Sequence, residues 1–133
     1  MMNKAKCIMQ IMSFFLLIGC APLVFFGAGT AAGVAGYQYY QGALTVIFQA
    51  PFMGTWDATL TALDKMNIKV ESSSHDITSG KIRAKRGEKQ KITISLNYKS
   101  AKETEVVIRI GYLGDRNTSM AIKEEIRKVL VKE

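Results

Sequence analysis

From Ala43 onward the apolar positions follow two clear periods. Leu44, Val46 and Phe48 fall on one side of Ala43–Gln49, the two-residue repeat of a short strand with one buried face. Ala50-Pro51 then opens a helix, because a proline in the first turn gives up only a donor that has no helical partner. Phe52, Trp56, Leu60 and Leu63 recur at i, i+4, i+8 and i+11, one continuous apolar stripe. Asn67 suits a left-handed stop. Ile68–Ser74 predicts a second strand with Ile68 and Val70 inward. Gly80–Lys85 alternates sharply, with Ile82 and Ala84 in and Lys81, Arg83 and Lys85 out. After a turn at Arg86-Gly87-Glu88, Lys91–Lys99 places Ile92, Ile94, Leu96 and Tyr98 inward, and Glu103–Tyr112 adds Val106, Ile108, Ile110 and Tyr112. Gly111 and Gly114 close that strand. A final helix from about Asp115 to Val131 buries Ile122, Ile126, Val129 and Leu130.

The order is β-α-β-β-β-β-α. Four consecutive strands with a helix before and after predict an α+β fold, an antiparallel sheet with both helices on one face. That order resembles the TATA-binding-protein-like architecture, which also occurs in small envelope lipoproteins of outer-membrane assembly machinery. A shared architecture carries no function with it.

The first forty residues are of another kind. Lys4 and Lys6 stand at the front, and the 50 residues from Cys7 to Trp56 contain no formal charge. A basic start followed by the 13-residue, mainly apolar run Cys7–Gly19 is the pattern of a secretory signal, too short for a membrane span. Leu17-Ile18-Gly19-Cys20 then resembles the lipobox of bacterial lipoproteins. The resemblance implies a leader over residues 1–19, diacylglycerol on the Cys20 thiol, and stable attachment to a bilayer once two or three acyl chains are present. Ala21, rather than Asp, follows the cysteine. By the sorting rule of enteric bacteria this implies the outer membrane, facing the periplasm. Cys7 leaves with the leader, so Cys20 has no disulfide partner in the mature chain.

Residues 20–41 form a Gly/Ala-rich segment ahead of a domain spanning 42–133. Small residues recur there every four positions, Gly29 and Gly33 making a GxxxG pair, and such rows let helices approach closely in an apolar medium. Two readings are open. One is a flexible or interfacial spacer; the other is a membrane-inserted helix that builds a structural oligomer through Gly29 and Gly33. Tyr37, Tyr39 and Tyr40 would suit a headgroup boundary.

A longer likeness runs through the domain. Trp56-Asp57-Ala58-Thr59-Leu60 with Ala62-Leu63, Gly80-x-Ile82-x-Ala84-x-Arg86, Thr93-Ile94-Ser95-Leu96 and Ile108-Arg109-Ile110-Gly111 with Gly114-Asp115 resemble an uncharacterised family of small bacterial lipoproteins, defined only by a domain of unknown function. The likeness implies lipidation and this fold, and brings no activity, substrate or site.

Composition narrows the chemistry. One His and two Cys, both cysteines before residue 21, leave no Cys/His metal cage and no Cys–His nucleophile pair, so neither metal nor cofactor is expected. His75 follows Ser72-Ser73-Ser74 and precedes Asp76, but neighbours on a strand point to opposite faces and a hairpin tip offers no rigid oxyanion hole. Glu103/Glu105 and Glu124-Glu125 read as solvated surface. Gly111–Asp115 lacks the lysine of a phosphate loop, and Asp115 reads as a helix cap. The expectation is a non-catalytic binding or assembly module. With 18 Lys+Arg against 11 Asp+Glu the chain carries +7. Lys81, Arg83, Lys85 and Lys91 all fall on the sheet face away from the core. They form a candidate face for an anionic partner: anionic lipid, acidic glycan or another envelope protein. Basic edges also keep strands from pairing between molecules, which is the plainer explanation. Nucleic acid is excluded as a partner of an exported protein whose charges have no aromatic between them for base stacking.

Overall fold

The computed structural model describes residues 33–132. The leader, Cys20 and Gly29 lie outside the described residues. Eight elements follow one another: β1 (Val34–Tyr40), β2 (Ala43–Phe48), α1 (Phe52–Lys65), β3 (Lys69–His75), β4 (Ser79–Arg86), β5 (Gln90–Ser100), β6 (Glu103–Ile110) and α2 (Arg116–Lys132). The fold is α+β. All six strands join in one antiparallel sheet ordered β1-β2-β6-β5-β4-β3.

The strand period does the sorting. Leu44, Val46 and Phe48 of β2, Ile92, Ile94 and Leu96 of β5, and Val106, Ile108 and Ile110 of β6 are buried together with Ile82 and Ala84 of β4. They meet Phe52, Trp56, Ala62 and Leu63 of α1 and Ile122, Ile126 and Val129 of α2 in a single core, so both helices lie on the same face. Burying each large aliphatic contributes about 1.5–3 kcal/mol. Two buried hydroxyls bond to backbone: Thr59 Oγ1 donates to Thr55 O at 2.7 Å, and Thr104 Oγ1 donates to Ala50 O at 2.9 Å, tying the start of β6 to the junction of β2 and α1, whereas the buried Ser119 Oγ of α2 has no partner among the described residues. Asn67 takes the left-handed conformation expected of it, with φ 57°.

Three expectations need correction. Val34–Tyr40 is a strand, so the order is β-β-α-β-β-β-β-α and the sheet begins well before residue 42. Val34, Ala35, Gly36, three tyrosines and one glutamine contrast too little at alternate positions for a two-residue period to stand out. Tertiary contacts hold it instead, Tyr37 and Tyr39 lying across from Val46 and Leu44. Gly33, with φ +88°, turns the chain into β1, and a Cβ on it would sit 3.3 Å from Val131 Cγ2. Residues 34–40 are therefore strand rather than helix, and Gly33 lies beside Val131 of α2. Tyr112 is 96 % exposed rather than inward, because β6 ends at Ile110, two residues earlier, where Gly111 takes φ +65°. Tyr98 points to the helix side but is half exposed, since it lies past the start of α1, where the helical cover stops.

One close approach fixes α1 against the sheet. Gly80 lies under the Trp56 ring, and a Cβ there would meet Trp56 Cζ3 at 2.5 Å and His75 Cβ at 2.8 Å. Gly80→Ala is expected to cost about 1–3 kcal/mol through overpacking. Urea unfolding should show the loss, and Trp56→Phe in the same chain should return part of it, a non-additive pair.

Candidate functional site

On the uncovered face, the ladder registers decide which charges meet. Lys85 lies directly across from Lys91 on one side and from Lys69 on the other, giving a row of three lysines over three strands. One row along, Arg83 stands between Ser72 and Thr93, and Thr93 faces Arg109. A further row on, Lys81 stands between Ser74 and Ser95. Lys81, Arg83 and Lys91 are exposed and Lys85 half-buried. The four residues singled out from the sequence are therefore brought together, as one patch over β4 and β5.

Among the described residues, the ion pairs lie elsewhere. Lys99 meets Glu105 at 3.3 Å, and Glu124 holds Arg127 at 2.9 Å and Lys123 at 3.7 Å. One member of each acidic pair noted in the sequence, Glu105 and Glu124, is thus occupied with its own neighbours. None of these contacts reaches Lys81, Arg83, Lys85 or Lys91. Like charges opposed across a ladder cost a fraction of a kcal/mol each, about 0.2–1. That is small against the burial on the other face, so the sheet tolerates the row.

Lys69 and Arg109 enlarge the patch. Arg109 was visible in the alternation of β6. Lys69 lies outward because Ile68 and Val70 turn inward, and a bulge between Val70 and Ser72 leaves Glu71 without a partner across the ladder.

His75 has a different setting from the one its neighbours suggest. Its ring lies 4.7 Å from the Trp56 ring and 6.1 Å from that of Phe52, measured between centroids, so it caps the aromatic end of α1. Its Nδ1 is 2.9 Å from the backbone oxygen of Asp76, not from a carboxylate. The Asp76 carboxylate is engaged in the hairpin tip, where Oδ1 accepts from Thr78 N at 2.7 Å and from Ser79 N at 2.8 Å. Ser74 faces Lys81 on the open side while His75 faces Gly80 on the helix side, which separates Ser, His and Asp in space. Asp115 caps α2 as expected, accepting from Thr118 N at 3.1 Å and Thr118 Oγ1 at 2.8 Å. Among the described residues no group of three or more His, Cys, Asp or Glu side chains is placed to hold a metal ion, and no helix is long and apolar enough to cross a membrane.

The sequence missed two features. Lys123 is buried on α2, its Nζ 4.1 Å from the centre of the Tyr37 ring, a cation–π contact that clamps β1 to the helix layer. The second is a groove of about 550 Å³ lined by Pro51, Phe52, Met53, His75, Asp76, Ile77 and Tyr98. Its sequence signal was slight: a lone isoleucine in the polar tip Asp76-Ile77-Thr78-Ser79.

The backbone amides of Thr78 and Ser79 pull the Asp76 carboxyl below its usual 3.8, and the Thr118 amide and hydroxyl do the same for Asp115. A carboxyl lowered on folding adds stability that is full above its unfolded value and fades as the pH falls through the folded one. Asp76→Asn and Asp115→Asn chains should therefore melt below wild type at neutral pH, and the gap should close as the pH drops below about 4. Melting curves between pH 2 and 7 check this.

Among curated proteins none matches the chain. A family model does, over residues 4–129, a span that takes in all of the described domain except its last three residues. The chain thus belongs to the family described as protein of unknown function, DUF3568.

Proposed function

We propose that this protein is a non-catalytic, lipid-anchored component of the bacterial envelope, held at Cys20 in the outer membrane facing the periplasm, whose domain binds an anionic partner through the open face of its sheet. The row Lys69–Lys85–Lys91, with Arg83, Lys81 and Arg109 beside it and no ion pair to Lys81, Arg83, Lys85 or Lys91 among the described residues, is the observation that carries the binding reading. A patch that served only to stop strand-to-strand aggregation would need its charges on edge strands. Here Lys91 and Arg109 belong to β5 and β6, the two central strands. The anchoring reading rests on the basic start, the apolar run and Leu17-Ile18-Gly19-Cys20. Near an anionic surface each basic residue contributes about 1 kcal/mol, so four give on the order of 4 kcal/mol, roughly a thousandfold in affinity.

Two experiments test the two halves. Cells fed radiolabelled palmitate should label the wild-type chain and not Cys20→Ser; label that persists in the variant overturns the anchor. For the face, the full chain in neutral-detergent micelles is passed over an immobilised sulfated glycan. Wild type should be retained at low salt and released by about 0.5 M, where the Debye length falls below 5 Å. Replacing Lys81, Arg83, Lys85 and Lys91 by Gln should abolish retention. Replacing Lys65, Lys102, Lys128 and Lys132 by Gln, the same change in net charge at exposed sites elsewhere, should leave it. Equal loss in both sets would show a general charge effect and no site.

A further inference from the structure

Both ends of the sheet expose apolar side chains, but at one of them these line a groove. At one end lie the β1–β2 turn, the β4–β5 turn and the loop before α2; at the other lie the starts of β1 and α1, the β3–β4 tip and the β5–β6 turn. The strands separate these ends by about 25 Å, eight residues at the rise of a strand. The chain leaves toward its amino terminus at the second end, where Gly33 O accepts a hydrogen bond from Gln49 N at 2.8 Å. That same end carries the groove: Met53 is 47 % exposed, Tyr98 47 % and Ile77 88 %. Val131, also half exposed, lies beside Gly33.

Resting on the anchored reading above, we infer that this end of the domain is a membrane-docking surface: Met53, Ile77 and Tyr98 enter the headgroup boundary of the bilayer that holds Cys20. Three observations converge. Exposed apolar side chains gathered around one groove mark an interaction surface, whereas scattered ones do not. Ile77 is presented rather than left loose, because the Asp76 carboxylate holds the amides of Thr78 and Ser79 and sets the turn that points Ile77 outward. Tyr98 offers an apolar ring with a polar tip, the chemistry of an interfacial residue. The geometry of the tether selects the occupant. Twelve residues separate Cys20 from Gly33, none of them charged, and Leu23-Val24-Phe25-Phe26 among them favour an apolar boundary. Fully extended, that stretch reaches about 45 Å, so the tether alone orients nothing. The apolar end does. With it against the lipid, the row Lys69–Lys85–Lys91 stands at the far end of the sheet, directed away from the anchoring bilayer.

Tyr40, Tyr112 and Leu113 are exposed at the opposite end and make the natural control. Full-length, acylated chains carrying either Ile77→Cys or Tyr112→Cys, each with an environment-sensitive fluorophore on the new thiol, are reconstituted into phosphatidylethanolamine–phosphatidylglycerol vesicles. Flotation first reports attachment. In floated vesicles the label at 77 should shift to the blue and be quenched by a headgroup-level lipid quencher at least threefold more than the label at 112. Chains that float while both labels are equally open to aqueous iodide overturn the docking and leave the anchor standing. Chains that fail to float overturn both. Quenching of 112 in place of 77 overturns the docking by reversing the orientation. A label at 77 already shielded in detergent without lipid overturns it too, since the groove is then filled by the chain itself or by a second copy.

Discussion

Burial of one sheet face beneath α1 and α2 is the constraint on which the rest of the molecule depends. Phe48, Leu96, Ile108 and Ile126 are among side chains removed completely from water, and each such burial is worth a few times more than any exposed charge pair in the structure. Strand side chains alternate, so fixing the inward set fixes the outward set as well. A slip of one residue in β4 against β5 would expose Ile82 and Ala84 and bury Arg83 and Lys85, a loss no arrangement of surface charges could offset. The lysine row is in this sense a by-product of core packing that is then available for use. Repulsion across Lys85 and Lys91 is outweighed.

The same geometry separates two surfaces. The open face over β3, β4 and β5 is polar, lined by Thr93, Ser95 and the basic groups, with Val107 and Ile47 beyond them on β6 and β2. The sheet end near Gly33 is apolar, because α1 starts there and leaves Tyr98, Met53 and the tip isoleucine beyond its cover. Under the proposed anchoring, a domain tied at that end with the lysine row at the other would have a direction built into it. Its own bilayer would lie against one end, and an anionic partner would meet the face that projects from it.

Much of this was legible in the residues. The stripe Phe52–Trp56–Leu63, the alternation around Ile82 and Ala84, and the caps at Asn67 and Asp115 all state locally what the packing then requires, and the four basic residues of β4 and β5 followed from the alternation. What was hidden depends on contacts between distant parts of the chain. β1 is a strand because β2 and Lys123 hold it, not because Val34–Tyr40 has a strong period. The inward placement of Tyr98 was right as to face and wrong as to burial, since periodicity reports direction and not how far a helix extends. The place of Lys69 in the row required knowing the β3–β4 register, and the groove required knowing that the β3–β4 tip and the start of α1 lie at the same end of the sheet.

The most direct test of the one-sided sheet is thiol reactivity at two adjacent positions of β4. In a chain whose own two cysteines are replaced by serine, Arg83→Cys and Ala84→Cys are treated with a water-soluble maleimide under native conditions. The Arg83→Cys chain should react at the rate of an exposed thiol, and the Ala84→Cys chain only as fast as the core opens. Equal rates, or a faster reaction at position 84, would contradict the register on which both the basic face and the apolar end rest.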